Sequence, residues 1–261
     1  MKLILPLVAA IICFPFSCYG DDGWLEKYKN PVQADIFEDC THSFASGDLR
    51  LDSAFFKSYK RYDWQPYDAP AVGVLGKDYK RIDLYFYPNF ESVDSLTFAV
   101  TGRSKVKNNI CDFSGTITIT KVSHFWERDY DSPDWYTIVG EYRFEENPKQ
   151  KGSGVFEGDW AAYAYCDNGI LYIDDENAVA DGYENRTFVG IWKNYDIGYM
   201  PKLCIWGDGK LPLTGDFDLG SGELQVNEKY NSPEWESYIS GDEIHCPVNT
   251  NEKAYYKNPW W

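Results

Sequence analysis

The stretch YTIVGEYRF, residues 136–144, has the residue pattern of a β-strand. Its apolar and aromatic residues recur at every second position, and this spacing places on one face Tyr136, Ile138, Tyr142 and Phe144, with Gly140 between them. A period of two residues is typical of a strand with one buried face, whereas a helix needs a period near 3.6. The stretch therefore predicts a strand with an aromatic face that is interrupted by a glycine.

The same alternation continues along the chain, in RIDLYFY (81–87) and SLTFAVT (95–101). YAYCDNGILYID (163–174) has Asp-Asn-Gly between two such runs, which predicts a β-hairpin because Asn and Gly tolerate positive φ. No window has sustained helical periodicity. The sequence thus predicts an all-β fold of antiparallel strands with short helical turns only, closed as a sandwich or a barrel. By count, about eight strands between residues 80 and 206 resemble an up-and-down barrel.

Two copies of one motif, YDSPDW (130–135) and YNSPEW (230–235), lie 100 residues apart. Each follows a related segment, SGTITITK (114–121) or SGELQVNE (221–228), and weaker matches between the two copies keep the same order. This collinearity predicts two tandem, related β units. The predicted boundaries are a first unit with an extra N-terminal strand at 21–140, a second unit at 141–245 and a C-terminal tail at 246–261.

The motif has the chemistry of a capped helical turn. Serine is a favoured N-cap, and proline at the first helical position loses no hydrogen bond. Asp134 or Glu234 would then lie in the first turn, where a carboxylate interacts favourably with the helix dipole. The motif is therefore expected to hold Trp135 or Trp235 in a fixed position.

Two roles are open for these tryptophans. They can close the end of a β unit, or they can form an apolar platform for a sugar ring, with the neighbouring acids accepting hydroxyl hydrogen bonds. The candidate ligand-binding residues are Tyr130, Asp134, Trp135, Tyr230, Glu234 and Trp235. The structural role is favoured, since repeated motifs are more often architecture than sites.

The N-terminus has the features of an export signal. Met1-Lys2 is followed by an apolar run that is too short to span a bilayer stably, and residues 1–20 are expected to be removed. In a second interpretation, the sequence around Cys18 is a bacterial lipoprotein signal and Cys18 carries the lipid anchor. No later stretch is long and apolar enough to be a transmembrane segment. The protein is therefore expected to be extracellular or periplasmic, or to be a cell-surface lipoprotein.

Composition restricts the partners. The net charge is −16, and a surface this negative repels nucleic acid and anionic lipid, which leaves cations, basic proteins and neutral ligands. Aromatic residues make up 18% of the chain, including 21 Tyr and 10 Trp. Tyr and Trp suit strands, and they also line saccharide and protein interfaces.

Cysteines and acidic loops offer few metal or redox sites. Beyond residue 20 the cysteines are Cys40, Cys111, Cys166, Cys204 and Cys246. Export permits disulfides among them, but the odd number leaves at least one unpaired and their spacing does not define the pairing. Asp216, Asp218 and Glu223 are a weak Ca²⁺ candidate that departs from the EF-hand pattern. No other cofactor is expected.

Support for enzyme chemistry is limited. The three histidines are far apart, and there is no nucleophile elbow. A glycosidase needs only two carboxylates, and Glu223 and Glu234 are the pair that flanks the second motif. The first expectation is therefore a secreted or surface-tethered non-catalytic protein that binds a saccharide or a protein. The alternatives are a glycoside-active enzyme, and an envelope structural or inhibitory protein that binds a basic partner.

Overall fold

The structure is a computed structural model that describes residues 23–29, 36–58, 68–126, 134–174, 182–196, 198, 200–222, 224–239 and 260. The strands in these residues are β1 (Ile36–Asp39), β2 (Arg50–Leu51), β3 (Ala71–Leu75), β4 (Lys80–Phe86), β5 (Glu91–Ser92), β6 (Thr97–Val106), β7 (Asn109–Trp126), β8 (Asp134–Glu146), β9 (Gly154–Asp167), β10 (Ile170–Ile173), β11 (Glu184–Asn194) and β12 (Lys202–Gly209). The helices are α1 (Trp24–Lys29), α2 (Thr41–Ser46) and α3 (Pro233–Ile239), with a 3₁₀ turn at Glu228–Tyr230.

Eight of these strands close into an antiparallel barrel. Its order is β3-β4-β6-β7-β8-β9-β11-β12, which follows the chain, and β12 pairs back onto β3. Closure removes the unpaired edges that an open sheet exposes. The predicted antiparallel all-β fold is confirmed in its barrel form, and the sandwich alternative is not confirmed.

The long strands β7, β8 and β9 continue beyond the barrel, where further strands of the same sheet pair with them. There β1 pairs with β7, β10 pairs with β9, and β2 adds to β10 in parallel. We call this six-stranded array, β1-β7-β8-β9-β10-β2, the extension sheet. One face of it continues the barrel core, because Tyr136 on β8 and Ala164 on β9 belong to the same buried cluster as the barrel interior.

Aromatic side chains fill the middle of the barrel. Phe144 on β8 has its ring centroid 5.6 Å from that of Phe86 on β4 and 6.0 Å from that of Phe188 on β11. Tyr142 on β8 likewise lies 5.1 Å from Trp206 on β12. These strands are not neighbours in the barrel, so the rings meet across its interior. An eight-stranded barrel is just wide enough for side chains to fill, and here they occupy that width.

Glycines provide the space for these rings. Gly140 pairs in register with Trp160, Gly73 with Trp206, and Gly115 with Phe144. A Cβ atom added to Gly140 would lie 2.5 Å from Nε1 of Trp160 and still closer to the carbonyl oxygen of Thr118. An aromatic ring that covers a cross-strand glycine is an established way to stabilise that position in a sheet. The glycine at the centre of 136–144 is therefore required by packing.

Smaller layers cover the outside of the barrel. Helix α1 packs Tyr28 against Val139 of β8 and Ala161 of β9. Helix α3 and the segment before it form a second buried cluster, in which Trp235 and Phe217 pack with Ile205 of β12. These layers leave the barrel as the main core of the protein.

The two tandem units are not confirmed. Strands from both predicted ranges, 21–140 and 141–245, form one barrel. Segment 114–121 lies in β7, whereas the described part of 221–228 contains only the isolated bridge of Val226 to Asp218 before the 3₁₀ turn. Of these two related segments, only 114–121 is a long strand in the described residues.

Several sequence predictions concern the ends of the chain. Residues 1–20, including Cys18, lie outside the described residues, as does Cys246. The other four cysteines are free thiols. None of the described helices is long and apolar enough to cross a membrane. In the predicted C-terminal tail, the carbonyl oxygen of Trp260 accepts a hydrogen bond of 3.2 Å from Arg103, and the Lys105 ammonium lies 5.4 Å from its ring.

Replacing Gly140 by alanine is expected to reduce the free energy of unfolding by about 3 kcal/mol, because the new methyl group overlaps backbone and an indole ring that have no room to move. Chemical denaturation would measure the loss. Gly207→Ala is the matched control, since its added Cβ would meet nothing closer than 3.3 Å. Equal stability of the two variants would contradict the packing role of Gly140.

Candidate functional site

The second motif copy is part of the core. Helix α3 begins at Pro233, as the capping pattern predicted, and the carbonyl oxygen of Ser232 accepts hydrogen bonds from the backbone N–H groups of Trp235 and Glu236. Trp235 is only 1% exposed, and its Nε1 donates to the carbonyl oxygen of Tyr79 at 2.7 Å. Its burial agrees with the structural role.

The neighbours of Trp235 in the motif are also engaged within the protein. The hydroxyl of Tyr230 donates to Oδ1 of Asp216 at 2.8 Å, and its ring packs 5.0 Å from that of Tyr79. Oε1 of Glu234 lies 3.4 Å from Nζ of Lys107, and this carboxylate side chain is 11% exposed. Glu234 and Trp235 therefore connect α3 to the barrel strands and turns, and Tyr230 connects the preceding 3₁₀ turn to the Asp216 loop.

The first motif copy has a different structure. Tyr130 lies outside the described residues, and Asp134 and Trp135 are the first residues of β8. The prediction that Asp134 lies in a helical turn is wrong. The reason is that Trp135 pairs with Phe125 on β7 and with Tyr165 on β9, so that strand pairing on both sides overrides the local capping preference.

Asp134 and Trp135 point to opposite faces of β8, since successive strand residues alternate. Oδ1 of Asp134 lies 3.3 Å from Nε2 of His124, whose ring stacks at 4.7 Å on that of Tyr136. Because Tyr136 belongs to the core face, Asp134 lies on the inner side and Trp135 on the outer side of the extension sheet. The structure thus separates two residues that the sequence had placed in one site.

Trp135 instead belongs to a row of aromatic residues on the outer face. Phe125, Trp135, Tyr165 and Tyr172 are in register on β7, β8, β9 and β10. Residues directly opposite one another on paired strands share a face of the sheet. We call these four residues the aromatic row. The backbone of β1 extends the register by one strand, with Phe37 opposite Phe125.

The aromatic row is partly open to solvent. Trp135, Tyr165 and Tyr172 are half-buried, and Phe125 is 7% exposed. The rings of Tyr165 and Tyr172 stack at 5.4 Å with an interplanar angle of 18°, so that each ring covers part of the other's face. Asp167, two residues beyond Tyr165 and therefore on the same face, is exposed. The row thus combines flat apolar rings, phenol and indole polar groups, and a carboxylate.

Sequence reasoning missed Phe125, Tyr165, Tyr172 and Asp167. The hairpin YAYCDNGILYID was recognised, and its period of two places Tyr165 and Asp167 on one face. What joins these residues to Trp135 is the strand register, which residue spacing within one strand does not specify.

The calcium candidates stabilise their own loop. Asp216 forms an ion pair with Lys229 and accepts from Tyr230, and the hydrogen bond from Lys229 lowers the pKa of Asp216. Asp218 accepts backbone N–H groups from Gly220 at 2.8 Å and Gln225 at 2.9 Å. Glu223 lies outside the described residues, and within those described no three potential metal ligands cluster.

A different carboxylate, Glu146, is buried at the end of β8. Its side chain accepts hydrogen bonds from the hydroxyl of Ser104, from the backbone N–H of Gly154 at 2.7 Å and from Nε1 of Trp192 at 3.0 Å. Burial raises the pKa of Glu146, and these three donors offset only part of that effect. The thiols of Cys111 and Cys204 lie nearby, and burial raises the pKa of both, which makes them poor nucleophiles.

Trp235→Ala is expected to reduce the free energy of unfolding by about 3–5 kcal/mol, because it removes a buried ring and leaves the carbonyl oxygen of Tyr79 without the indole donor. Denaturant titration would measure this loss. Trp235→Phe keeps much of the ring and is expected to cost less. A stable Trp235→Ala variant would show that α3 does not depend on this contact.

Glu146 makes stability depend on pH. Its pKa is higher in the folded state, so its contribution to stability is complete below the ordinary glutamate pKa and declines as the pH rises through the folded value. In Glu146→Gln the amide oxygen accepts from Trp192 and Gly154 without carrying a charge. The free energy of unfolding of the wild type is therefore expected to fall relative to Glu146→Gln as the pH rises above the ordinary glutamate pKa.

Denaturation at several pH values would measure that difference. Glu145→Gln is the control, because the side chain of Glu145 is 55% exposed on the outer face. A free-energy difference between wild type and Glu146→Gln that does not change with pH would contradict the effect of burial.

Comparisons of the chain with protein-family models, with curated proteins and with solved structures returned no match. The function is therefore inferred from the geometry of this chain alone.

Proposed function

We propose that this protein is an exported, non-catalytic binding protein that recognises a neutral saccharide through the aromatic row. The observation that carries the proposal is the register of Phe125, Trp135, Tyr165 and Tyr172 across four strands, on the outer face of the extension sheet. Export follows from the N-terminal sequence and is part of the proposal.

The chemistry of the row suits a sugar. Tyr and Trp combine an apolar ring with a polar group, so they bury the C–H face of a sugar ring while their hydroxyl or N–H groups bond to its hydroxyls. The exposed carboxylate of Asp167 adds a hydrogen-bond acceptor on the same face. The row also needs little backbone rearrangement on binding, because neighbouring strands pair with β8 and β9 on both sides.

The barrel interior is a poor alternative location for a ligand. Large aromatic side chains from strands on opposite sides of the barrel are in contact at its centre, including Phe144 and Tyr142 from β8. A ligand there would have to displace buried rings from a close-packed core. The outer face therefore offers the better binding surface.

Binding is also better supported than catalysis. Of the two candidate catalytic carboxylates, Glu234 is paired with Lys107 and flanks the buried Trp235, which supports a structural role for this part of the chain. The third alternative, binding of a basic partner, is supported by the net charge of −16. Such binding would weaken steeply as the salt concentration rises.

Trp135→Ala is expected to weaken saccharide binding at least tenfold, which corresponds to about 1.4 kcal/mol, with a smaller effect on stability than Trp235→Ala because Trp135 is only half-buried. A glycan array followed by calorimetry would identify and measure binding. Trp135→Phe, which retains an aromatic ring, is expected to keep most of the affinity.

Tyr87→Ala is the matched control, since Tyr87 is a half-buried tyrosine just after β4, outside the extension sheet, and packs on Tyr85 at 5.8 Å. Sugar binding that survives Trp135→Ala unchanged would refute the proposed site. Release of reducing sugar by the purified protein would refute the non-catalytic role.

A further inference from the structure

We infer that the ligand is an extended neutral polysaccharide chain that lies across the strands, along the aromatic row, and not a single sugar. This inference rests on the proposed saccharide binding and adds the length, direction and charge of the ligand. It follows from three features of the extension sheet: the length of the row, the path of its exposed part and the charge at its end.

The row is longer than one sugar ring. Neighbouring strands in a sheet lie about 4.8 Å apart, so the backbone positions from Phe125 on β7 to Tyr172 on β10 extend over about 14 Å. A single sugar ring covers only one or two of these side chains. A chain of several sugar units can contact all of them at once, because the row is straight in register across β7, β8, β9 and β10.

The exposed part of the row defines a direction. Phe125 at the β7 end is 7% exposed, whereas Trp135, Tyr165 and Tyr172 are half-buried. The most accessible surface thus runs from β8 to β10, perpendicular to the strands. Tyr165 and Tyr172 stack with an interplanar angle of 18°, and such a stacked pair can support adjacent sugar units.

Charge narrows the class of polymer. Asp167 is exposed at the β9–β10 turn, close to the end of the row, and the protein as a whole carries a net charge of −16. An acidic polysaccharide would be repelled by this field, whereas the hydroxyls of a neutral chain can donate to the Asp167 carboxylate. The geometry therefore points to a neutral glycan chain of several units.

The test is the dependence of affinity on chain length. Calorimetry would use the neutral cello-, xylo-, manno- and malto-oligosaccharides of one to six units with the full-length protein. For at least one series, the association constant is expected to rise at least tenfold from the disaccharide to the tetrasaccharide and then to level off, as the row becomes fully covered. In Tyr172→Ala, this gain with length is expected to be lost, while disaccharide binding changes little.

Tyr87→Ala is again the control, because it removes a half-buried tyrosine away from the row. Binding that depends on Trp135 but is equally tight for monosaccharide and tetrasaccharide would overturn the extended chain and leave the proposed function standing. Tight binding of an acidic oligosaccharide, such as oligogalacturonate, would overturn the neutral class. If none of the neutral series binds, both the inference and the proposed function are wrong.

Discussion

The pairing of aromatic rings with glycines inside the barrel is the constraint on which the rest of this structure depends. Gly140, Gly73 and Gly115 lie opposite Trp160, Trp206 and Phe144 on neighbouring strands, and at Gly140 an added Cβ atom would overlap the ring itself. Because the rings meet across the barrel, its interior is a packed core. The pairing therefore determines both the stability of the barrel and the fact that a ligand must bind elsewhere.

The long strands connect this core to the outer surface. In β8, Tyr142 and Phe144 pack inside the barrel, Tyr136 packs under the extension sheet, and Trp135 lies on the opposite face of the same strand. Because side chains alternate along a strand, the residues that fill the inner face of β8 also determine which residues lie on its outer face. A slip of one residue in the register would bury Trp135 and expose the core residues. Core packing thus positions the aromatic row, although the row itself contributes little to that core.

The two copies of the aromatic motif show when a local sequence pattern determines the local structure and when it does not. In the second copy, α3 begins at the proline of the Ser-Pro-acid-Trp pattern, as that pattern predicts, and Trp235 becomes part of the core. In the first copy, the residues that follow the proline enter β8, because β7 and β9 supply hydrogen-bond partners on both sides. Local preferences of about 1 kcal/mol decide the outcome only where tertiary pairing does not compete.

The amino-acid sequence by itself determined the antiparallel all-β fold, the hairpin around Asn168 and the inward face of β8, because these depend on the spacing of residues within a strand and on turn chemistry. Only the tertiary structure decided that the strands close into one barrel, that Trp235 is buried, and that Trp135 joins Tyr165 and Tyr172 in one row. Those features depend on which strands become neighbours and in what register. That choice is set by how all the aromatic rings and glycines pack together, which no single segment of the chain specifies.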